Sequence, residues 1–486
     1  MNLVINKKTK IVCTIGPSSD SKEMIEKLYY AGMNVARLNF SHGTHEEQLE
    51  KIKTIRSLEE KKIYIPIAGD TKGPEVRVGE MENDKVDVEK GQIIRIVKDD
   101  VVGNAERFSC TYKNLYEDIK VGDNILIDDG NLELVVIDKD EKNEDVIVKA
   151  VNKHYIKTKK SINLPHTSLN IPFLSSRDLD DLKFFCENDL DVIFASFVRK
   201  ASDIFEMKKV LKDLGHPGMP IIAKIESQEG LDNIDEILDA AEGVMVARGD
   251  LGGEIPLPEV PIAQEMIIKK ARERGKPVIV ATQMLDSMTN YPRPTRAEVG
   301  DVANAIRQSC DCVMLSGETA SGSYPEEAVK MQASIASTYE ATLPYETLAR
   351  QAYETSDRTN NDAIANSIAN TALLIGAKLI INFSQTGRSS ARIAKARPCC
   401  PIISVTSSKH ATENLGWHWG VYSVLLKTTM PDFIEEMEAL AIKIARDLGL
   451  QPGDPVLLAG GTPTGAGNTN FMRILHVNKL SEIFGE

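Results

Sequence analysis

Basic, acidic and hydroxyl side chains stand where short apolar runs of the sequence end. Arg37, Asn39, Ser41 and His42 close one run, and Asp70 with Thr71 closes the next. Further along come Lys224 with Glu226, Arg248 with Asp250, Thr282 with Gln283, and Ser316 with Glu318. Two carboxylates aimed into one mouth suit a hard cation that keeps its remaining positions for water and substrate oxygens, so Glu226 and Asp250 point to Mg²⁺. The bland alternative is that Glu226 pairs with Lys224, and Asp250 with Arg248, as ordinary salt bridges. The sequence contains no Walker A stretch, no GxGxxG turn and no HExxH. Contact with phosphate must therefore come from Arg, Lys and metal.

The elements that would carry these residues alternate. Strand-like runs at 10–15, 34–39, 63–68, 192–198, 220–225, 243–248, 277–282 and 312–316 are each followed by a helical pattern. Those patterns lie at 20–31, 44–61, 176–188, 202–214, 228–240, 261–274, 296–308 and 325–340. Eight strands with eight helices is the count of a (β/α)₈ TIM barrel, whose active site lies at the carboxyl ends of its strands. About a hundred residues interrupt the rhythm after the third strand, with alternating strands and tight turns such as residues 121–138, which read as a small all-β domain. After residue 345 an α/β pattern restarts, with helices near 362–376 and 430–447 and strands at 378–383, 401–406, 421–426, 455–459 and 470–477. The expected domains are a barrel from 1–72 and 171–344, an inserted β-barrel lid at 73–170 and a C-terminal α/β domain at 345–486.

Composition narrows the function. With 58 basic and 71 acidic residues the net charge is −13, the wrong sign for wrapping nucleic acid or an acidic membrane. Neither a signal-type apolar segment nor an 18-residue apolar run occurs, which reads as a soluble, cytoplasmic chain. Seven cysteines without a CxxC pair fit reduced thiols, and the adjacent Cys399 and Cys400 receive no role. The stretch Ser384-Gln385-Thr386-Gly387-Arg388-Ser389-Ser390 joins a strand to a helix, and its hydroxyls, glycine and helix N-terminus make a phosphate cradle.

Seven segments occur in one order: TKIVCTIGPSS, MNVARLNFSHG, GDTKGPEVR, AKIES, MVARGDLG, ATQMLDSM and MLSGETASGSYP. Together they closely resemble pyruvate kinase across almost the whole chain. The resemblance implies transfer of a phosphoryl group from phosphoenolpyruvate to ADP, giving pyruvate and ATP. It places phosphoenolpyruvate beside Lys224, Gly249, Asp250 and Thr282, with Arg37 on the phosphate and Ser316 and Glu318 nearby. It gives Mg²⁺ (or Mn²⁺) to Glu226 and Asp250, and K⁺ to Asn39, Ser41, Asp70 and Thr71. ADP would meet Asn39, Phe40, Ser41, His42, Arg77 and Lys160. The sequence departs from the family around Lys160, where the usual Lys-Lys-Gly-Val-Asn-Leu-Pro-Gly becomes Lys-Lys-Ser-Ile-Asn-Leu-Pro-His at 159–166. Glu75 is the residue that accompanies a K⁺ requirement in the family, where K⁺-independent members carry Lys. The resemblance further implies a homotetramer and a phosphorylated sugar or nucleotide effector at Ser384–Ser389. Two other readings remain open on sequence grounds: a Mg²⁺-dependent pyruvate aldolase or lyase, and a pseudoenzyme that senses a nucleotide or metabolite.

Overall fold

Eight parallel strands close into a barrel in a computed structural model that describes residues 3–128, 130–165, 167, 169–462, 465 and 469–478. They are β1 (Lys10–Thr14), β2 (Val35–Asn39), β3 (Ile67–Asp70), β4 (Val192–Ala195), β5 (Ile221–Ile225), β6 (Gly243–Ala247), β7 (Val278–Ala281) and β8 (Cys312–Leu315). Their order around the barrel is sequential, and β8 pairs back onto β1. Side chains alternate across each strand. Val12, Val35, Ala68, Phe194, Ile222, Met245 and Ile279 fill the barrel's inside, while Ile11, Ala36, Ile67, Ile193 and Val280 pack outward against the helices. Trp417, from beyond the barrel, joins the inner cluster, and its carbonyl accepts the Cys312 thiol at 3.2 Å.

Local sequence sets the helix starts. Thr44 with Glu47, Ser175 with Asp178 and Thr295 with Glu298 form reciprocal capping boxes, and Pro325 opens the helix Pro325–Glu340. The third strand is a correction: it runs Ile67–Asp70 rather than 63–68. Pro66 has no N–H to give a ladder, so pairing starts after it. β4 stops at Ala195 and β7 at Ala281 because Phe197 (φ 54°), Thr282 (φ 70°) and Gln283 (φ 52°) leave the extended region.

Between β3 and the helix Ser176–Glu187 lies the inserted β domain. A six-stranded sheet and a two-stranded one surround its own core, which includes Val88, Phe108, Ile127 and Val148. Beyond the barrel a second sheet has the order β11-β10-β9-β12-β13, with β9 (Leu379–Phe383), β10 (Ile402–Thr406), β11 (Val421–Leu425), β12 (Pro455–Gly460) and an antiparallel edge strand β13 (Phe471–His476). Three further helices here are Tyr345–Glu354, Arg388–Lys395 and Lys409–Asn414, of which the sequence pattern marks only the start of the second, after the loop at Ser384. The last two have eight and six residues, too short for a 3.6-residue period to register. Among the described residues no helix is long and apolar enough to cross a membrane.

Candidate active site

Asp70 is the hub. It ends β3, is 1% exposed, and shares its two oxygens among three donors. Arg37 Nε donates to Oδ2 at 2.5 Å, while Lys224 Nζ at 3.2 Å and Ser196 Oγ at 3.1 Å meet Oδ1. Barrel register brings them together, since Asn39 on β2 and Phe194 on β4 both pair with Asp70. Burial pushes the Asp70 carboxyl up, but Arg37 and Lys224 outweigh it and hold the carboxyl below its ordinary value. Arg37 Nη1 also donates to Thr14 Oγ1 at 2.9 Å, and its Nη2 has no protein partner among the described residues.

Lys224 continues the chain. Its ammonium donates to Ser196 Oγ at 2.8 Å and lies 3.0 Å from Glu226 Oε1. Burial opposes its charge, yet Asp70 and Glu226 raise its pKa above the ordinary lysine value, so it stays protonated. Glu226 is pushed up to about 7, first by burial and then by the charge of Asp250, with Lys224 pulling the other way. Its Oε2 accepts the Phe197 N–H at 2.6 Å. Of the two ordinary salt bridges considered from sequence, Lys224–Glu226 is present within this larger cluster, while Arg248 is directed elsewhere: it meets Asp301 at 2.7 Å and donates to the carbonyls of Ala281 and Thr282 at 3.2 and 2.6 Å.

Those Arg248 contacts hold a strained turn. Thr282 and Gln283 both have positive φ, uncommon for any non-glycine residue, most of all for the β-branched Thr282, and concentrated at functional sites. Thr282 Oγ1 accepts the Gly249 N–H at 2.8 Å and donates to Ala281 O at 2.6 Å. Glu318, buried and with its carboxyl pushed up by burial, accepts the N–H groups of Leu285 at 3.1 Å and Ser316 at 2.7 Å. It thereby ties the ends of β7 and β8 together.

The remaining expected residues lie around this centre. Ser41 N–H donates to Asn39 Oδ1 at 3.0 Å, Phe40 N–H to Asp70 O at 3.0 Å, and Thr71 Oγ1 accepts Ser196 N–H at 3.1 Å. His42 is exposed and contributes a carbonyl to Gln48 at 3.0 Å. Arg77 grips Glu75 at 2.8 Å, and the Lys160 ammonium sits 2.5 Å from Asp128 inside the inserted domain. His166, which replaces the family's glycine, lies outside the described residues. A cavity of about 370 Å³ opens between insert and barrel, lined by Glu75, Asn163, Phe197, Asp250 and Glu254. A group of three or more metal-ligating His, Cys, Asp or Glu does not occur among the described residues. A cation here would take oxygens from beyond the carboxylate pair.

Sequence reasoning missed Ser196, Thr14 and the Phe197 N–H. All follow from the ends of β1 and β4, which carry no charge to single them out. In the C-terminal domain Gly387 has φ 79° and its N–H donates to Ser384 Oγ at 3.0 Å, while Asn382 donates to Ser389 Oγ at 2.8 Å. A cavity of about 460 Å³ is lined by Ser384, Gln385, Thr386, Arg388 and Ser389.

A parallel barrel whose mouth gathers arginine, lysine and paired carboxylates under an inserted β domain belongs to the phosphotransferase class. A family model described as pyruvate kinase, barrel domain, matches residues 6–329, and one described as pyruvate kinase, alpha/beta domain, matches 362–475. Relatives named pyruvate kinase include one from Staphylococcus haemolyticus, 46% identical over 96% of this chain and 80% of its own, and one from Geobacillus stearothermophilus, 44% identical over 98% and 81%. The chain belongs to the pyruvate kinase family.

Proposed function

We propose that phosphoenolpyruvate lies against Lys224, Gly249, Asp250 and Thr282 with its phosphate on Arg37, and that ADP meets Asn39–His42, Arg77 and Lys160. The buried chain Arg37–Asp70–Lys224–Glu226 is the observation that carries this reading. Phosphoryl transfer spreads charge over the moving oxygens, so fixed positive groups do most of the work. Asp70 and Thr14 orient the Arg37 guanidinium, and Asp70, Ser196 and Glu226 hold the Lys224 ammonium charged in place. Thr282, pinned by Gly249 and Arg248, positions a water for proton delivery to C3 of the enolate, beside Ser316 and Glu318. The inserted domain excludes bulk water that would hydrolyse the phosphoryl group.

Glu226 and Asp250 fit Mg²⁺ or Mn²⁺: both are hard oxygen donors, and their repulsion contributes to lifting Glu226 to about 7, which a cation would relieve. Bound there, the divalent ion would supply charge stabilisation to the phosphoryl and enolate oxygens. Asn39, Ser41, Asp70 and Thr71 offer the oxygen donors that K⁺ prefers. The domain division 1–72, 73–170, 171–344 and 345–486, a homotetramer, a cytoplasmic setting and an activator at Ser384–Ser389 complete the proposal. Purified protein given phosphoenolpyruvate, ADP, Mg²⁺ and K⁺ should yield ATP, and chelation of Mg²⁺ should abolish it. Pyruvate release without ATP would favour a lyase instead. An Arg388→Ala variant should lose activation by phosphorylated metabolites while keeping its basal rate.

A further inference from the structure

A third large cavity, about 510 Å³, lies away from the mouth, where the helices Val260–Glu273, Tyr345–Glu354 and Arg388–Lys395 converge. The first of these follows β6 and ends near the foot of β7, so its last turn is at the opposite end of the barrel from Asp250. That turn carries Arg272. Its Nε is buried without a hydrogen-bond partner, and the side chain makes no ion pair among the described residues. A guanidinium so placed bears the full cost of an unmet buried donor. Burial, and then the neighbouring Arg397, which is itself committed to Asp311 at 2.8 Å, push Arg272 down to about 10.

Lys395 faces the same space from the end of its helix. Its stem lies against Gly275, where an added Cβ would come within 3.0 Å of Lys395 Cδ, and among the described residues its ammonium reaches only the Thr355 carbonyl, at 3.3 Å. We propose that this cavity binds a phosphorylated polyhydroxyl molecule, with the phosphate on Arg272 and Lys395. A phosphate dianion matches a half-buried guanidinium beside an ammonium. The lining also supplies the charges of Lys269 and Arg307, amides and hydroxyls from Gln308, Gln351 and Thr347 suited to sugar-type hydroxyls, and, among the described residues, no aromatic face on which a base would stack. Glu265, Glu273 and Glu354 also line it; the first and last are exposed, placed to accept hydroxyls, and the pull of the half-buried Glu273 on Arg272 is outweighed by burial and Arg397. The volume is that of a small-metabolite pocket. The helix Arg388–Lys395 has the hydroxyl-rich loop at its start and Lys395 at its end, so one short helix separates two distinct anion sites.

The test uses the full chain carrying Arg388→Ala, which silences the loop site, titrated calorimetrically with glycerol 3-phosphate, inorganic phosphate and glycerol. Glycerol 3-phosphate should bind more tightly than inorganic phosphate, and glycerol not at all. Adding Arg272→Gln should weaken glycerol 3-phosphate at least tenfold, and Lys395→Gln, a milder change should the first variant fail to fold, at least threefold. Affinity unchanged within twofold in both variants, or no binding in their parent, would overturn the site. Equal affinity for inorganic phosphate and glycerol 3-phosphate would overturn the ligand class.

Discussion

Ser196 has no charge, yet it joins the two halves of the catalytic cluster by touching Asp70 at 3.1 Å and Lys224 at 2.8 Å. Removing its hydroxyl leaves one donor of Lys224 without an acceptor, a loss of about 1–1.5 kcal/mol. Ser196→Ala should therefore lower kcat about tenfold with little change in KM for phosphoenolpyruvate, and an unaltered kcat would deny Ser196 this positioning role. Glu75 tests the monovalent cation. Its carboxylate adds negative charge to a mouth already holding Asp70, Glu226 and Asp250, balanced in part by Arg77 at 2.8 Å. Wild-type rates should fall sharply when tetramethylammonium replaces K⁺ at matched ionic strength, whereas Glu75→Lys should run without K⁺. Equal wild-type rates in the two salts would remove K⁺ from the site.

Strand ends made most of the site legible from sequence, because a parallel barrel puts every carboxyl end on one face and charges stand out against apolar runs. What stayed hidden has no such contrast: Ser196 and Thr14 look like ordinary hydroxyls, and the Phe197 N–H reaches Glu226 only through a positive φ that no residue type announces. The third strand slid by several residues because the apolar stretch around Ile63 and Ile65 is buried without being laddered. β3 also shows how tightly an element can fix a side chain. A Cβ on Gly69 would come within 2.7 Å of the Phe185 ring and 2.8 Å of Leu190, both packed and unable to yield freely. Gly69→Ala should cost about 1–3 kcal/mol by overpacking and, by shifting the neighbouring Asp70, reduce kcat as well. Thermal melts and steady-state rates measured together would show both; an unchanged melting temperature would mean β3 has room.

Across the whole molecule, the barrel and the C-terminal domain meet at Arg56, which holds Asp191 at 2.8 Å and Glu413 at 2.9 Å. Burial and the nearby Asp191 lift Glu413 from the ordinary value of 4.5 to about 7, against the pull of Arg56. A carboxyl raised in the folded state stabilises fully below its unfolded pKa and loses that contribution as pH climbs through its folded one. Wild type should therefore lose melting temperature relative to Glu413→Gln between about pH 5 and 8, and a pH-independent difference would contradict a raised Glu413 carboxyl. The same integration of distant elements governs catalysis: β2, β3, β5, β6 and β7 each deliver a different group to one mouth, so deleting the Lys224 ammonium leaves Arg37, Asp250 and Thr282 in place to bind substrate. The decisive measurement is kcat and KM for phosphoenolpyruvate in Lys224→Met beside wild type. A group used mainly in the transition state should take kcat down by about three orders of magnitude or more while KM moves only a few-fold. A kcat within about tenfold of wild type would contradict phosphoryl transfer centred on Lys224.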